Sequence, residues 1–133
     1  MEEGAEISPL VALGGGGDVH MCVYSTVDYG AKLIPATFTT QGKYMNDAIM
    51  NELPQRPAEL GGMVEVIRGS ITLEEGATIG ANAVVCVSRR CPNITIGAFS
   101  VIGAGSYIDH SIAPNLVMFP KRKDFVVKQR LFK

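Results

Sequence analysis

The chain has 133 residues, 47% apolar and 19% charged, with a net charge of −1. That is one core-forming domain's worth of sequence (residues 1–133), and its balance excludes a disordered chain or a uniformly basic nucleic-acid binder. No apolar run approaches the roughly 18 residues of a membrane span, and Met1-Glu2-Glu3-Gly4 lacks the basic and apolar regions of a secretory signal, so a cytoplasmic location without membrane or nucleic-acid partners is expected.

Along the chain, order begins weakly, with Ile7 and Leu13 six residues apart before the run Gly14-Gly15-Gly16-Gly17. From Met21 a period of six takes hold. Met21, Val27 and Leu33 open consecutive hexads. The register returns at Leu73, Ile79 and Val85, and again at Ile96, Ile102 and Ile108. Every one of these first positions is aliphatic or Met. The fifth positions are small (Ser25, Ala31, Thr37, Ala77, Ala83, Ser100 and Ser106), except for Arg89 and Ile112 where segments end. Neither a 3.6-residue helix nor a simple alternating strand has this period. One large inward residue and one small corner residue per six predict an all-β solenoid of short parallel strands. Three hexads would make an 18-residue coil, with about three to four coils stacked. Gly80, Gly97 and Gly103, at second positions, suit tight bends in such a chain.

Two segments leave the register. Residues 39–70 form a long excursion containing Pro54, Pro57 and Gly61-Gly62, and loops of that length are commonly functional. Ser88-Arg89-Arg90-Cys91-Pro92 inserts five residues between Val85 and Ile96, a small bulge whose two arginines suit either solvent or an anion. After the last hexad, residues 121–133 hold six Lys/Arg against Asp124 and are expected to cap the open end of the solenoid.

Cys22, Cys86 and Cys91 are odd in number, which argues against a disulfide framework. The expectation is buried, inert thiols. Closed zinc geometry needs about four ligands, and the pairs His20-x-Cys22 and Cys86/Cys91 do not suggest them, so no metal site is expected.

Ile79-Gly-Ala-Asn-Ala-Val-Val85, Ile96-Gly97 and Val101-Ile-Gly-Ala-Gly-Ser106, followed by Ala113-Pro-Asn115, resemble the last coils of the hexapeptide-repeat acyltransferases. The resemblance is strongest over 71–122 and extends to 5–38. It implies a left-handed parallel β-helix, a homotrimer, and acetyl-CoA as co-substrate. The implied acceptor is a hydroxyl or amino group of a small molecule such as a sugar or nucleotide sugar. The chain departs from the family's usual ending. Asp109-His110-Ser111-Ile112 stands where Thr-Lys-Asp-Val is common, and Phe119-Pro120-Lys121-Arg122 where Gly-Asn-Pro-Ala-Arg is common, so only Pro120 and Arg122 match there.

By resemblance, the pantetheine arm would lie along Gly80, Ala81, Gly103, Ala104 and Ser106. Arg122, with Lys121 and Lys123 beside it, would pair with CoA phosphates. The family's excursion often carries a catalytic His and reaches a neighbouring subunit, but this excursion has no His. The candidate bases are therefore Asp47 in the excursion, His20 just before the first hexad, and Asp28 at an outward second position. An amine acceptor would need positioning more than a strong base. The missing His also leaves open a non-catalytic subunit with an assembly role. A carbonic-anhydrase-like metal enzyme on the same fold would need three His, and the chain has two.

Overall fold

The computed structural model describes residues 1–38 and 66–120. Asp47, the cap 121–133 and Arg122 lie outside the described residues. Fourteen short strands are present among those described, and no helix is among them. In chain order they are β1 Glu6–Ile7, β2 Ala12–Leu13, β3 Asp18–Met21, β4 Thr26–Val27, β5 Lys32–Ile34, β6 Ala36–Phe38 and β7 Val66–Arg68. There follow β8 Ser70–Leu73, β9 Thr78–Ile79, β10 Val84–Cys86, β11 Asn93–Ile96, β12 Val101–Ile102, β13 Tyr107–Ile108 and β14 Val117–Met118.

Three parallel sheets receive these strands in rotation. The first has the order β1-β4-β9-β12-β14, the second β2-β5-β10-β13 and the third β3-β8-β11. Leaving aside the β6–β7 ribbon, each sheet is visited once before the chain returns to the first. Stacking in register makes columns of like residues. Ile7, Val27, Ile79, Ile102 and Met118 follow one another in the first sheet. Leu13, Leu33, Val85 and Ile108 do so in the second. Met21, Leu73 and Ile96 do so in the third, where Ile112 continues the column through a single bridge.

All nine residues that open hexads are buried, as the period of six requires. The third sheet adds what that period passes over. Its four-residue strands bury alternate side chains, so Ile71 accompanies Leu73 and Ile94 accompanies Ile96, all fully buried. At about 25 cal/mol per Å² of apolar area removed from water, these columns are the main source of cohesion. At the N-terminal end the interior is only half closed, and Ile7 and Leu13 remain exposed.

The corners work differently from the expectation. Gly80, Gly97 and Gly103 do not make the bends. A Cβ on Gly80 would stand 2.7 Å from Ala104 N and Ile102 O, and one on Gly97 would strike Pro114. These glycines admit the next coil's backbone. The bends fall two residues later, where Tyr24, Gly30, Gly76, Asn82, Phe99 and Gly105 all have φ between 56° and 74°. The buried corner serines are satisfied nearby. Ser25 donates to Cys22 O at 2.7 Å, Ser106 to Gly103 O at 2.7 Å and Ser100 to Ala113 O at 2.6 Å.

The excursion has other bounds than 39–70: it leaves the parallel sheets at Ala36 and rejoins them at Ser70. β6 and β7 pair antiparallel, Ala36 opposite Arg68 and Phe38 opposite Val66, so a ribbon forms its root. Coil geometry is restored from Ser70, which pairs with both Asp18 and Asn93. Ile67, packed against the core, and Ile71, fully buried, explain why residues 66–70 join the folded body.

Candidate active site

Every insertion leaves the body at the corner between the second and third sheets. The glycine run 14–17, the β6–β7 root and the Ser88–Pro92 bulge fall there in successive coils. They frame an open groove of about 570 Å³ lined by Gly16, Gly17, Asp18, Arg68, Gly69, Ser70 and Asn93.

Backbone proximity builds its floor. Asp18 N donates to Gly69 O at 3.0 Å, Gly69 N to Pro35 O at 2.8 Å, and Ser70 N to Pro92 O at 3.0 Å. A Cβ on Gly17 would meet Gly69 O and Pro35 O, and one on Gly69 would meet Pro92 O. The glycines therefore let three coils close up at this corner. Over the floor stand one anion, one cation and a polar pair. Asp18 and Arg68 are exposed, Arg68 Nη1 donates to Gly16 O at 3.3 Å, and Ser70 Oγ donates to Asn93 Oδ1 at 3.0 Å. Such a set suits a small, polyhydroxylated ligand bearing charge. Sequence reading missed Asp18, Arg68, Ser70 and Asn93 as a group. The one signal was the glycine run directly before Asp18, which leaves backbone accessible there.

The candidate bases that the structure describes lie elsewhere. Asp28 is at the next corner, where its Oδ1 accepts Tyr29 N at 2.7 Å, a local turn contact. His20 is exposed on the outer surface of β3, with Nε2 3.0 Å from Glu2 Oε2. The Cys22 sulfur lies within 4.8 Å of the Glu2 carboxylate. The nearby thiol first, and His20 second, hold the Glu2 carboxyl below the usual range, while burial and Glu2 push the Cys22 thiol up. Of the three cysteines only Cys86 is buried. Cys22 and Cys91 are half-buried, which corrects the expectation of three buried thiols. Cys22 directly follows β3 and continues its alternation, on the same side as His20.

Toward the C-terminal coils, Gly80 N donates to Ile102 O at 2.7 Å, Gly103 N donates to Met118 O, and Ala81 O accepts Gly105 N at 2.9 Å. Ser106 is buried at its corner, whereas Ala104 is exposed. Beside Ser106 is a hollow of about 140 Å³ bounded by Tyr107, Ile108, His110, Met118, Phe119 and Pro120. His110 Nδ1 lies 3.1 Å from Asp109 Oδ1. Burial, followed by the adjacent Cys86, raises the Tyr107 phenol above its usual value.

The chain thus has the fold of an all-β protein built from three parallel sheets visited in turn, and solved N-acyltransferase structures share it. Three of these are variants of AntD, an N-acyltransferase from Bacillus cereus. One, in complex with dTDP-4-amino-4,6-dideoxyglucose and coenzyme A, is 22% identical at a TM-score of 0.65, over 94% of this chain and 61% of that one. Two others, in complex with dTDP and coenzyme A, are each 23% identical, with TM-scores of 0.66 and 0.64 over 94% and 93% of this chain. The chain spans 61% of the length of each of these neighbours. At this identity the likeness is one of fold. No protein-family model matches the sequence, and no curated protein matches it.

Proposed function

We propose that this protein is a CoA-dependent acyltransferase that acylates an amino or hydroxyl group of a small acceptor, a nucleotide sugar being the favoured class. The observation that carries this reading is the fold shared along nearly the whole chain with an N-acyltransferase holding coenzyme A and a nucleotide-linked amino sugar. The polar groove at the root of the excursion supports it. We further read the three-sheet body as a left-handed parallel β-helix of the hexapeptide-repeat type, assembled as a cytoplasmic homotrimer.

In this reading the acceptor occupies the groove. Arg68 pairs with its anionic part, and Asp18 holds the amino or hydroxyl group to be acylated. Acyl-CoA lies along the C-terminal coils by Ala81, Ala104 and the hollow at Ser106, with Gly80 and Gly103 shaping the surface and Arg122 on the phosphates. The acceptor nitrogen or oxygen adds to the thioester carbonyl, and the C–S bond then breaks. The acceptor's proton passes to Asp47, the candidate base in the excursion, and from there to the departing thiolate. Holding both reactants in one orientation supplies most of the acceleration expected for an amine acceptor.

Calorimetry with acetyl-CoA, then turnover with a panel of dTDP-amino sugars, tests the reading. Arg68→Ala is expected to raise the acceptor KM about tenfold, the worth of one charged hydrogen bond, with CoA affinity unchanged. Absence of CoA binding would replace the enzyme with a non-catalytic assembly subunit.

A further inference from the structure

A second cluster lies at the opposite end of β3 from the groove. Glu2, His20 and Cys22 bring a carboxylate oxygen, an imidazole nitrogen and a thiol sulfur within 4.8 Å of one another, the only such three-donor group among the described residues. The local fold holds them there. His20 and Cys22 are two residues apart on extended backbone and share one face. Cys22 N donates to Leu73 O at 2.8 Å, which ties this strand to the next coil. Glu2 is brought to it by its own N donating to Met21 O at 2.8 Å, and Tyr24 N donates to Glu3 O at 3.1 Å.

We propose that Glu2, His20 and Cys22 form a binding site for a divalent, borderline-soft cation of the zinc type. The donor chemistry selects it: one sulfur, one nitrogen and one oxygen match zinc's ligand set and suit magnesium or calcium poorly. Ligands of a tetrahedral zinc ion, at about 2.0–2.3 Å from the metal, lie about 3.3–3.8 Å apart. The cluster therefore needs to close by about 1 Å at its widest, a side-chain adjustment. Glu2 and His20 are exposed, so water completes the shell as the fourth ligand. The neighbouring Glu74, which follows the Met21↔Leu73 pair, adds negative charge on the adjacent coil. The site joins the first three residues to the first coil, where Ile7 and Leu13 leave the interior half open. A bound ion there is a staple for the weakest end of the stack. The site does not depend on the acyltransferase reading, since it shares no residue with the groove.

The test uses the full chain, stripped with chelator and titrated with cobalt(II), whose thiolate complexes absorb in the near ultraviolet. The expected result is one cobalt per chain, with a thiolate-to-cobalt charge-transfer band and tetrahedral visible bands, all erased by added zinc. Cys22→Ser should abolish the charge-transfer band, and His20→Ala or Glu2→Gln should weaken cobalt binding about tenfold or more. Cys91→Ser should leave the spectrum unchanged, and melting of the metal-free variants checks that each is folded. No band at millimolar cobalt overturns the site. So does a band that survives Cys22→Ser in folded protein, or one that vanishes with Cys91→Ser.

Discussion

At Gly69 one missing methyl decides whether three coils meet. A Cβ there would collide with the carbonyl of Pro92 in the next coil, and that carbonyl accepts Ser70 N. Neither side yields easily, because both are backbone in a hydrogen-bonded ladder. Gly69→Ala is therefore expected to cost about 1–3 kcal/mol, the usual range for overpacking, and to narrow the groove. Gly15, in the run 14–17, has open space where its Cβ would be and a φ outside the left-handed region. Gly15→Ala should melt within about 0.5 kcal/mol of the parent. Thermal melting of the two variants checks this. Equal losses would mean that the contact with Pro92 does not set the need for glycine at position 69.

The corners that follow the third and the first sheets place their fourth hexad residue in the left-handed region. Glycine fills it at Gly30, Gly76 and Gly105, asparagine at Asn82, and large side chains at Tyr24 and Phe99. The large residues are compensated by contact. Tyr24 and Phe99 cover the glycines at the same corner of the preceding coil, Gly4 and Gly76, and Asn82 covers Gly30. At each of these pairs a side chain lies over bare backbone of the preceding coil. For Asn82, replacement by alanine keeps the strained φ and removes the polar side chain that tolerates it, so Asn82→Ala should lose about 1 kcal/mol. Asn82→Gly relieves the strain and should recover most of that loss. Denaturant midpoints for the pair decide the matter, and an alanine variant as stable as the glycine one would place the cost elsewhere.

For the whole molecule, the question is what covers its faces. Outward residues in the first sheet run Thr26, Thr78, Val101 and Val117 in register, and the last two are exposed and apolar. Tyr107, outward on the adjoining sheet, is 64% exposed. A narrow three-sheet body of this length has little interior for its surface, so association through such faces is the expected remedy. Light scattering at micromolar concentration should give three times the 14.2 kDa of one chain. Val101→Glu with Val117→Glu should shift the population to monomer. A clean monomer for the parent chain would remove the trimer.

The order of residues alone determined the repeat. A large aliphatic every six positions and a small residue four later have one economical solution, and the burial of Met21 through Ile108 follows it. The insertions at 39–70 and 88–92 were legible as departures from register for the same reason. Three things depended on tertiary contact. Gly80 and Gly103 serve close approach, not bending, because their clashes are with residues a coil away. The excursion ends at Ser70 because β8, which starts there, finds partners at Asp18 and Asn93. The groove of Asp18, Arg68, Ser70 and Asn93, like the cluster of Glu2, His20 and Cys22, gathers residues from separate coils or segments. Spacing along a chain records which way a side chain points within one coil. Which side chains meet across coils is set by the lengths of the insertions between them, and only the folded stack expresses that sum.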